Sequence, residues 1–89
     1  MKLVVTVVGK DGVGIIARVT KILADNNVNI LSINQNIMEG FFNMLLIAEM
    51  SESKVKLPDL QKTLKTEGEK ISVEIKVQHE DIFNVMHKI

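Results

Sequence analysis

The sequence contains no cysteine, and this absence excludes several kinds of chemistry at once. Without cysteine the chain forms no disulfide and offers no thiolate, either as a nucleophile or as a metal ligand. Its two histidines, His79 and His87, share no metal-ligand spacing with Glu80 or Asp81. No serine or threonine stands beside a histidine, as an activated nucleophile would need. We therefore expect no metal, no cofactor and no enzymatic activity.

An excess of one charge and a set of aromatic side chains are also missing. Eleven Lys and Arg residues balance eleven Asp and Glu residues, and the chain has no Trp, no Tyr and only three Phe. Nucleic-acid recognition needs a basic face, and RNA-binding sheets add aromatic side chains on which bases stack. The apolar run of residues 3–8 stops at Gly9-Lys10-Asp11, which is too short for a membrane span or a signal peptide. We expect a cytoplasmic protein that binds neither nucleic acid nor membrane.

What the sequence does contain is enough apolar material for one small domain. Of its 89 residues, 46% are hydrophobic and 25% are charged, without any low-complexity tract. A chain of this length buries only about 60% of its unfolded surface, so its core is thin. Self-association would therefore help to stabilise it.

Hydrophobic periodicity predicts four strands and three helices. The predicted strands are residues 3–8, 28–38, 41–50 and 71–77, and the predicted helices are residues 14–26, 57–67 and 80–89. This order, with right-handed crossovers and one hairpin, predicts an α+β, ferredoxin-like βαββαβ fold. Such a fold has a four-stranded antiparallel sheet with two helices on one face, here followed by a short C-terminal helix. Residues 1–79 would form the core of a single domain and residues 80–89 its helical tail.

Particular residues predict where these elements begin and end. Asn26-Asn27 suits the end of the first helix, because Asn tolerates the left-handed conformation found there. Glu39-Gly40 predicts a tight turn between the second and third strands. Pro58 suits the first position of the second helix, and Gly68 suits its end.

One face of the predicted sheet has no long helix to cover it. Either Met44 and Leu46 or Leu45 and Ile47 must lie on that face, where they would form an adhesive patch. The tail helix carries an apolar stripe at Ile82, Val85, Met86 and Ile89. We expect the tail, a partner subunit, or both to shield the patch, which favours a homodimer or a higher oligomer.

The stretch Gly12-Val13-Gly14-Ile15-Ile16-Ala17 has the glycine spacing of a dinucleotide-binding turn. That motif also needs an acidic residue about 20 positions further on, to hold the ribose. Residues 31–37 offer none, and the second strand leads into a hairpin instead of another crossover helix. Nucleotide binding is therefore not expected.

A second motif in this region suggests a hydrolase. Acylphosphatases share the predicted architecture and bind phosphate with a loop and an arginine, while an asparagine orients water. Arg18 and Asn43 are the residues that resemble this pair, but the surrounding loop sequence of that family is missing. An exposed position on the polar side of the first helix explains Arg18 better.

The glycine stretch, taken with the residues that follow the first helix, resembles the ACT domain family. The resemblance is carried by residues 5–17, in particular Asp11-x-x-Gly14, and by Asn29-Ile30 after Val28. ACT domains are small-molecule sensors, mostly of amino acids, and the match covers essentially the whole chain in element order. Many members have a proline where this chain has Val13, so its turn is less constrained.

The resemblance implies a regulatory domain with a ligand site for an amino acid. The implied site residues are Lys10, Asp11, Gly12, Val13, Gly14, Ile15, Asn29 and Ile30. Backbone groups of the glycine loop would hold the ligand, and the helix start would favour its carboxylate. Asn29 would add a side-chain amide.

Geometry predicts that this site is shared between two chains. The first helix carries the chain roughly 20 Å from the loop to Asn29, at the opposite end of the sheet. Only a two-fold partner can therefore present Asn29 to the loop. Because no fused domain follows, we expect the output to pass through an unknown protein partner or through assembly. A ligand-free interaction module is the alternative, in which Asp11 only caps a helix, and an acylphosphatase-like hydrolase is a distant third.

Overall fold

The computed structural model describes residues 1–86, which form the predicted ferredoxin-like arrangement. Its elements are β1 (Lys2–Lys10), α1 (Ile15–Asp25), β2 (Asn29–Met38), β3 (Phe41–Glu49), α2 (Leu57–Lys70), β4 (Val73–His79) and α3 (Glu80–Met86). His87, Lys88 and Ile89, the predicted end of the last helix, lie outside the described residues. No helix within residues 1–86 is long and apolar enough to cross a membrane.

The four strands form one antiparallel sheet in the order β2-β3-β1-β4. The first and third strands are therefore central, and the second and fourth strands lie at the edges. β1 pairs with β3 from Lys2↔Glu49 at one end to Lys10↔Phe41 at the other. These two pairs define the two ends of the sheet and locate every residue of the candidate site.

One face of the sheet packs against α1 and α2 and forms the core. Alternate residues of β1, β3 and β4 point to this face, and Met44 and Leu46 are among them. Leu45 and Ile47 therefore belong to the other face. The helices contribute apolar residues at three- and four-residue spacing. Fully buried core residues are Leu3, Val5, Val7, Val19, Leu23, Leu46, Ala48, Leu60 and Leu64.

The tight turns follow the predicted chemistry. Asn27, just after α1, has φ 60°, which is the left-handed conformation expected there. Glu39 and Gly40 both have positive φ, as a two-residue hairpin turn requires. Ser72, between α2 and β4, also has positive φ (59°), which its sequence context did not predict.

The prediction that Gly68 ends the second helix is wrong. Gly68 is buried inside α2, which continues to Lys70. A Cβ at this position would approach the carbonyl oxygen of Val73 to 2.8 Å and the Ile75 side chain to 3.0 Å. The glycine is needed because α2 and β4 pack too closely for any side chain.

We infer that the short helix α3 lies on the sheet face opposite α1 and α2. Val4 points to that face and is nevertheless only 2% exposed. Because α3 contacts both β1 and β4, we attribute the burial of Val4 to this helix. Two residues of the predicted apolar stripe of the tail, Ile82 and Val85, are 55% and 76% exposed in the single chain. A seven-residue helix has too few turns to bury all of its apolar residues against one sheet.

Candidate functional site

The loop between β1 and α1 is an open, four-residue connection. It begins at Asp11, whose backbone N–H donates to the carbonyl oxygen of Gly40 (2.8 Å), so the loop is tied to the β2–β3 turn. It ends at Gly14, which has φ 86° and directs the chain into α1. A Cβ at Gly12 or at Gly14 would meet no atom within 4 Å. The loop is therefore shaped by backbone conformation, and its surface is free.

Gly9, predicted as part of the turn, lies inside β1 instead. It pairs with Phe42 on one side and with Val73 on the other. A Cβ here would lie 2.8 Å from the carbonyl oxygen of Ser72 and from the Cα of Val73. Gly9 therefore allows the start of β4 to approach β1, and it has no part in the loop.

The first turn of α1 presents backbone donors to this open loop. The Gly14 carbonyl accepts the Arg18 N–H (2.9 Å), which closes the first turn. The N–H groups before Arg18 have no carbonyl partner within the helix. No side chain caps this helix start, so the expectation that Asp11 caps it is wrong. The uncapped start, with no acidic residue in its first turn, is suited to an anionic group.

The residues predicted to bind a ligand divide into two kinds. Lys10, Asp11, Gly12, Val13 and Gly14 are exposed, and the Val13 side chain projects fully into solvent. The side chains of Ile15 and Ile30 instead face the core. These two residues can contribute only backbone groups to a ligand.

Asn29 lies at the opposite end of the sheet from the loop. It pairs with Glu49, and Glu49 pairs with Lys2, whereas the loop follows Lys10. Lys2 and Lys10 are the two ends of β1, about 26 Å apart at the usual rise of a strand. Asn29 is exposed there, but the structure does not bring it to the loop of its own chain.

The edge strand β2 is long, free and uncharged. None of its ten residues is charged or proline, and nine of them are exposed. Natural sheets usually protect such an edge with lysine, proline or a covering helix. A register shift between Ile30 and Ser32 places a bulge at Leu31, two residues after Asn29. Bulges of this kind often redirect side chains next to functional sites.

The other edge strand, β4, is protected. Gln61 Nε2 of α2 donates to the outward carbonyl of Val77 (2.7 Å), and α2 packs closely on β4 at Gly68. Glu74 and Lys76 add charge along this strand, with Lys76 Nζ 3.5 Å from Glu74 Oε1. Of the two edges, β2 is the one open to another strand.

Glu49 is a candidate that sequence reasoning missed. It is paired in register with Asn29. Its Oε1 accepts hydrogen bonds from the Ser51 hydroxyl and from the Met1 amino group (2.9 Å), and both hold the pKa of this carboxyl below 4.5. Its Oε2 is shielded from solvent and has no hydrogen-bond partner among residues 1–86. The available signal was a single charged residue at the end of an otherwise uncharged strand.

Arg18 is occupied by an ion pair between the two long helices. Its Nη1 lies 3.2 Å from Glu67 Oε1, while Lys70 Nζ lies 2.7 Å from Glu67 Oε2. Mainly the hydrogen bond from Lys70 holds the pKa of the Glu67 carboxyl below its usual value of 4.5. Asn43 lies on the opposite sheet face, away from α1. Arg18 and Asn43 therefore cannot meet around one phosphate, which argues against the acylphosphatase arrangement.

His79 has a structural role at the end of β4. Its Nδ1 accepts the backbone N–H of Asp81 (3.1 Å), one of the free donors at the start of α3. Within the described part of the chain, no three His, Asp or Glu side chains are grouped as a metal site would need. The other histidine, His87, lies outside the described residues.

Comparisons with known proteins identify the family and the fold of the chain. A sequence model of the ACT domain matches residues 1–78. A UPF0237 protein of Clostridium perfringens is 52% identical over 89 residues, which cover 100% of both chains. The solved structure of an ACT domain protein from Streptococcus pneumoniae has a TM-score of 0.82 at 34% identity and covers 93% of both chains.

A more distant structure shares the fold alone. The regulatory subunit of aspartate kinase from Thermus thermophilus, in its ligand-free form, has a TM-score of 0.68 at 19% identity. The match covers 89% of the present chain and 51% of that subunit.

Proposed function

Because the chain belongs to the ACT domain family, we propose that it is a regulatory domain that senses an amino acid at a homodimer interface and acts on a partner protein. ACT domains typically regulate through small-molecule ligands and commonly dimerise. The aspartate kinase subunit that shares the fold is itself named as regulatory. On this proposal the chain binds its ligand without converting it.

The observation that carries the proposal is the combination of a free β2 edge with a site divided between the two ends of the sheet. Two β2 edges can pair antiparallel around a two-fold axis and join the two sheets. This pairing reverses one chain relative to the other, so the partner's Asn29 comes to the end where Met38 and Lys10 lie. The partner's β2 then lies about three strand spacings from β1, roughly 14 Å across the joined sheet. Because α1 leads from β1 to β2, the loop leaves β1 in the direction of this seam.

Each part of the proposed site matches one group of an amino acid. The uncapped start of α1 offers backbone N–H donors and a positive dipole end to the ligand carboxylate. The Asn29 amide of the partner subunit can donate and accept. The Glu49 carboxylate of the same partner subunit, which is paired in register with that Asn29, would attract the ligand ammonium by its charge. The loop contacts the ligand mainly through its backbone and discriminates little between amino acids. The ligand side chain would therefore be recognised mainly at the seam, the junction between the two paired β2 strands.

Regulation follows from the division of the site. A ligand that contacts both chains binds the dimer in preference to separate protomers, and so it shifts the equilibrium toward the dimer. The surface presented to a partner protein changes with that equilibrium. The free energy that couples ligand binding to dimerisation equals the difference between the binding free energies of the ligand for the dimer and for the separate protomers.

Titration calorimetry and thermal shift against the common amino acids test the function directly. A ligand of the native state raises the unfolding temperature in proportion to the logarithm of its concentration. We expect one amino acid, or a related small carboxylate, to do so at millimolar concentration or below. If none of them does, the ligand-sensing proposal fails.

Complementation between two variants tests whether the site is shared. Val13→Asp places a carboxylate at the helix start, where it repels the ligand, and the full exposure of Val13 protects the fold. Asn29→Ala removes the amide, and Asn43→Ala serves as a control that removes an exposed amide elsewhere. Neither variant should bind alone, but an equimolar mixture should recover about a quarter of the wild-type sites, because half of the dimers keep one intact site. A mixture that remains inactive would place both residues in the same chain's site or outside it.

The second candidate function is a ligand-free dimerisation or interaction module. The observation that favours it is the β2 edge itself, which can pair without any ligand. Under this function the dimer forms at the same protein concentration with or without amino acids, and Val13→Asp has no effect. Sedimentation velocity at several protein concentrations separates the two candidates.

A further inference from the structure

The side of β2 that faces the helices is apolar and uncovered. Ile33 is paired in register with Leu46, and Ile37 is paired with Phe42. Because Leu46 and Phe42 are buried in the core, Ile33 and Ile37 point to the same face of the sheet, the one that carries α1 and α2. They are nevertheless 44% and 54% exposed, so neither long helix covers this strand. Two branched apolar side chains on the same side of one strand form a strip, unlike isolated apolar residues elsewhere on a surface.

The flank of α1 that faces β2 is also uncharged. Arg18 of α1 pairs with Glu67 of α2, and α2 packs on β4 at the other edge of the sheet. The opposite flank of α1 therefore faces β2, and it carries Ile16 and Thr20, which are half-buried and one helical turn apart. The Thr20 hydroxyl donates to the Ile16 carbonyl oxygen (2.8 Å), which satisfies this polar group within the helix.

The space between this flank and the apolar strip is called the α1–β2 trough below. Its lining side chains are Ile16, Thr20, Ile33, Gln35 and Ile37. Gln35 belongs to this set because its register partner, Met44, is a core residue. None of the five lining side chains is charged.

Charged residues close to the trough in the sequence lie on other surfaces. Lys10 points to the opposite face of the sheet, together with its register partner Phe41. Lys21 and Asp25 pair with each other (2.7 Å) on the side of α1 that also carries Arg18. Two acidic residues are exposed near the loop end of the trough, where water screens their charge: Asp11 of the loop and Glu39 of the β2–β3 turn.

The loop end of the trough lies beside the start of α1. Ile37, Phe42 and Gly9 form one row across the sheet, at the end from which the loop leaves β1. Ile16 is the second residue of α1 and belongs to its first turn. A ligand carboxylate bound by the backbone N–H groups of that turn would therefore place its side chain next to Ile16 and Ile37. From there the side chain can extend along the trough.

Pairing of two β2 edges would close the trough from the solvent side. Antiparallel pairing of two identical edges requires a two-fold axis perpendicular to the sheet, so the helices of both copies lie on the same face. The trough of one copy then adjoins the trough of the other across the seam. A ligand side chain enclosed there would lose its water.

An enclosed, uncharged trough selects against charged side chains. A charged ligand side chain would lose its hydration and gain no counterion, which is unfavourable. An apolar side chain would instead gain about 0.8 kcal/mol for each buried methylene, or about fourfold in affinity. A side chain longer than that of alanine therefore binds more tightly only where its added atoms are apolar.

We propose that the amino acid sensed by this chain has an apolar side chain of the leucine type, which lies in the α1–β2 trough. The inference rests on the proposed function and adds to it the chemical class of the ligand. Ile37 is the specificity-determining residue, because it combines high exposure with a position next to the start of α1.

Titration calorimetry of the full chain with matched ligands tests this class. Leucine and aspartate have similarly branched side chains, and norleucine is lysine without its side-chain ammonium. Alanine reports the contacts of the ligand backbone alone. We expect leucine and norleucine to bind at least about tenfold more tightly than aspartate, lysine and alanine. If one of these three binds as tightly as leucine or norleucine, the inference is overturned while the proposed function stands. If no amino acid binds, the proposed function fails and the inference fails with it.

Two variants on neighbouring residues of β2 test the location. Ile37→Ala removes apolar atoms from the trough, and Met38→Ala, the matched control, removes an equally exposed apolar side chain from the opposite face of the sheet. The readout is the ratio of the leucine affinity to the alanine affinity, which a weaker dimer leaves unchanged because both ligands need the same dimer. We expect this ratio to fall at least about fivefold in Ile37→Ala and to stay within about twofold in Met38→Ala. A ratio that is the same in both variants would overturn the inference.

Discussion

Gly14 controls the shape of the candidate site through a single backbone angle. Its φ of 86° lies in the left-handed region, which costs an ordinary residue free energy but not glycine. Because a Cβ there would touch nothing within 4 Å, the requirement is conformational and does not come from crowding. The uncapped helix start that results is the feature that makes the loop suitable for a carboxylate.

Gly14→Ala should therefore lower the free energy of unfolding by about 1–2 kcal/mol, the usual cost of the left-handed conformation for a residue with a Cβ. Urea denaturation measures this change in the free energy of unfolding. Gly12→Ala is the matched control: its Cβ also meets open space and its φ is not in that region. That control should be neutral or slightly stabilising, by about 0.4–1 kcal/mol, through the unfolded state. Equal losses in both variants would contradict the assignment.

Glu67 makes a second prediction for a single residue, on pH dependence. Its hydrogen bond from Lys70 and its pairing with Arg18 lower the pKa of the folded carboxyl below 4.5. A carboxyl with a lowered folded pKa adds stability above the unfolded pKa, and this stability is lost as the pH falls through the folded pKa. Glu67→Gln should lower the unfolding temperature at neutral pH, and the difference from wild type should shrink as the pH falls below 4.5. A difference that stays constant with pH would show that the charge of Glu67 has no role.

At the scale of elements, the packing of α2 on β4 explains both the buried glycine and the protected edge. Gly68 lets the helix approach the strand, and Gln61 then satisfies an outward carbonyl of β4. Among residues 1–86, no equivalent group covers β2, and nine of its ten residues are exposed. The fold therefore has one closed edge and one open edge, and only the open edge is free of charge.

Gly68→Ala tests this packing against helix propensity. In an exposed helix the change would stabilise by up to about 1 kcal/mol. Here the new Cβ would lie 2.8 Å from the Val73 carbonyl oxygen, so we expect a loss of about 1–3 kcal/mol from overpacking. Thr66→Ala, at an exposed position of the same helix, should stabilise slightly. Thermal or urea unfolding of both variants gives the comparison, and a stabilised Gly68→Ala would refute the close contact.

Charge on the open edge is the second prediction at this scale. Asn34→Lys together with Asn36→Lys places two cations on β2, as natural sheets do to prevent edge pairing. We expect the β2-mediated dimer to dissociate while the unfolding free energy of the protomer changes by less than about 0.5 kcal/mol. Thr63→Lys with Thr66→Lys adds the same charge to α2 as a control. Sedimentation velocity reports the oligomeric state of each, and an unchanged dimer would exclude the β2 edge as the interface.

At the scale of the whole molecule, the proposed contact buries surface that the thin core of one protomer leaves exposed. Three surfaces remain open in one protomer: the glycine loop, the β2 edge and the uncovered half of the sheet face. The proposed β2 seam uses the first two together. A ligand at the seam would therefore strengthen the β2 contact. Measuring the dissociation constant of the dimer with and without the ligand would show this effect.

The sequence alone determined the element order, the ferredoxin-like topology and the family resemblance, because periodicity and turn residues are local properties. It also placed the loop and Asn29 at opposite ends of the sheet, since a helix and two strands have known lengths. Tertiary structure alone decided what depends on approach between distant elements. Gly9 and Gly68 look like turn signals in the sequence, yet each sits inside an element where a neighbouring backbone leaves no room for a Cβ. The free oxygen of Glu49, the engagement of Arg18 by Glu67 and the exposure of Ile82 and Val85 likewise follow from packing between segments far apart in the chain.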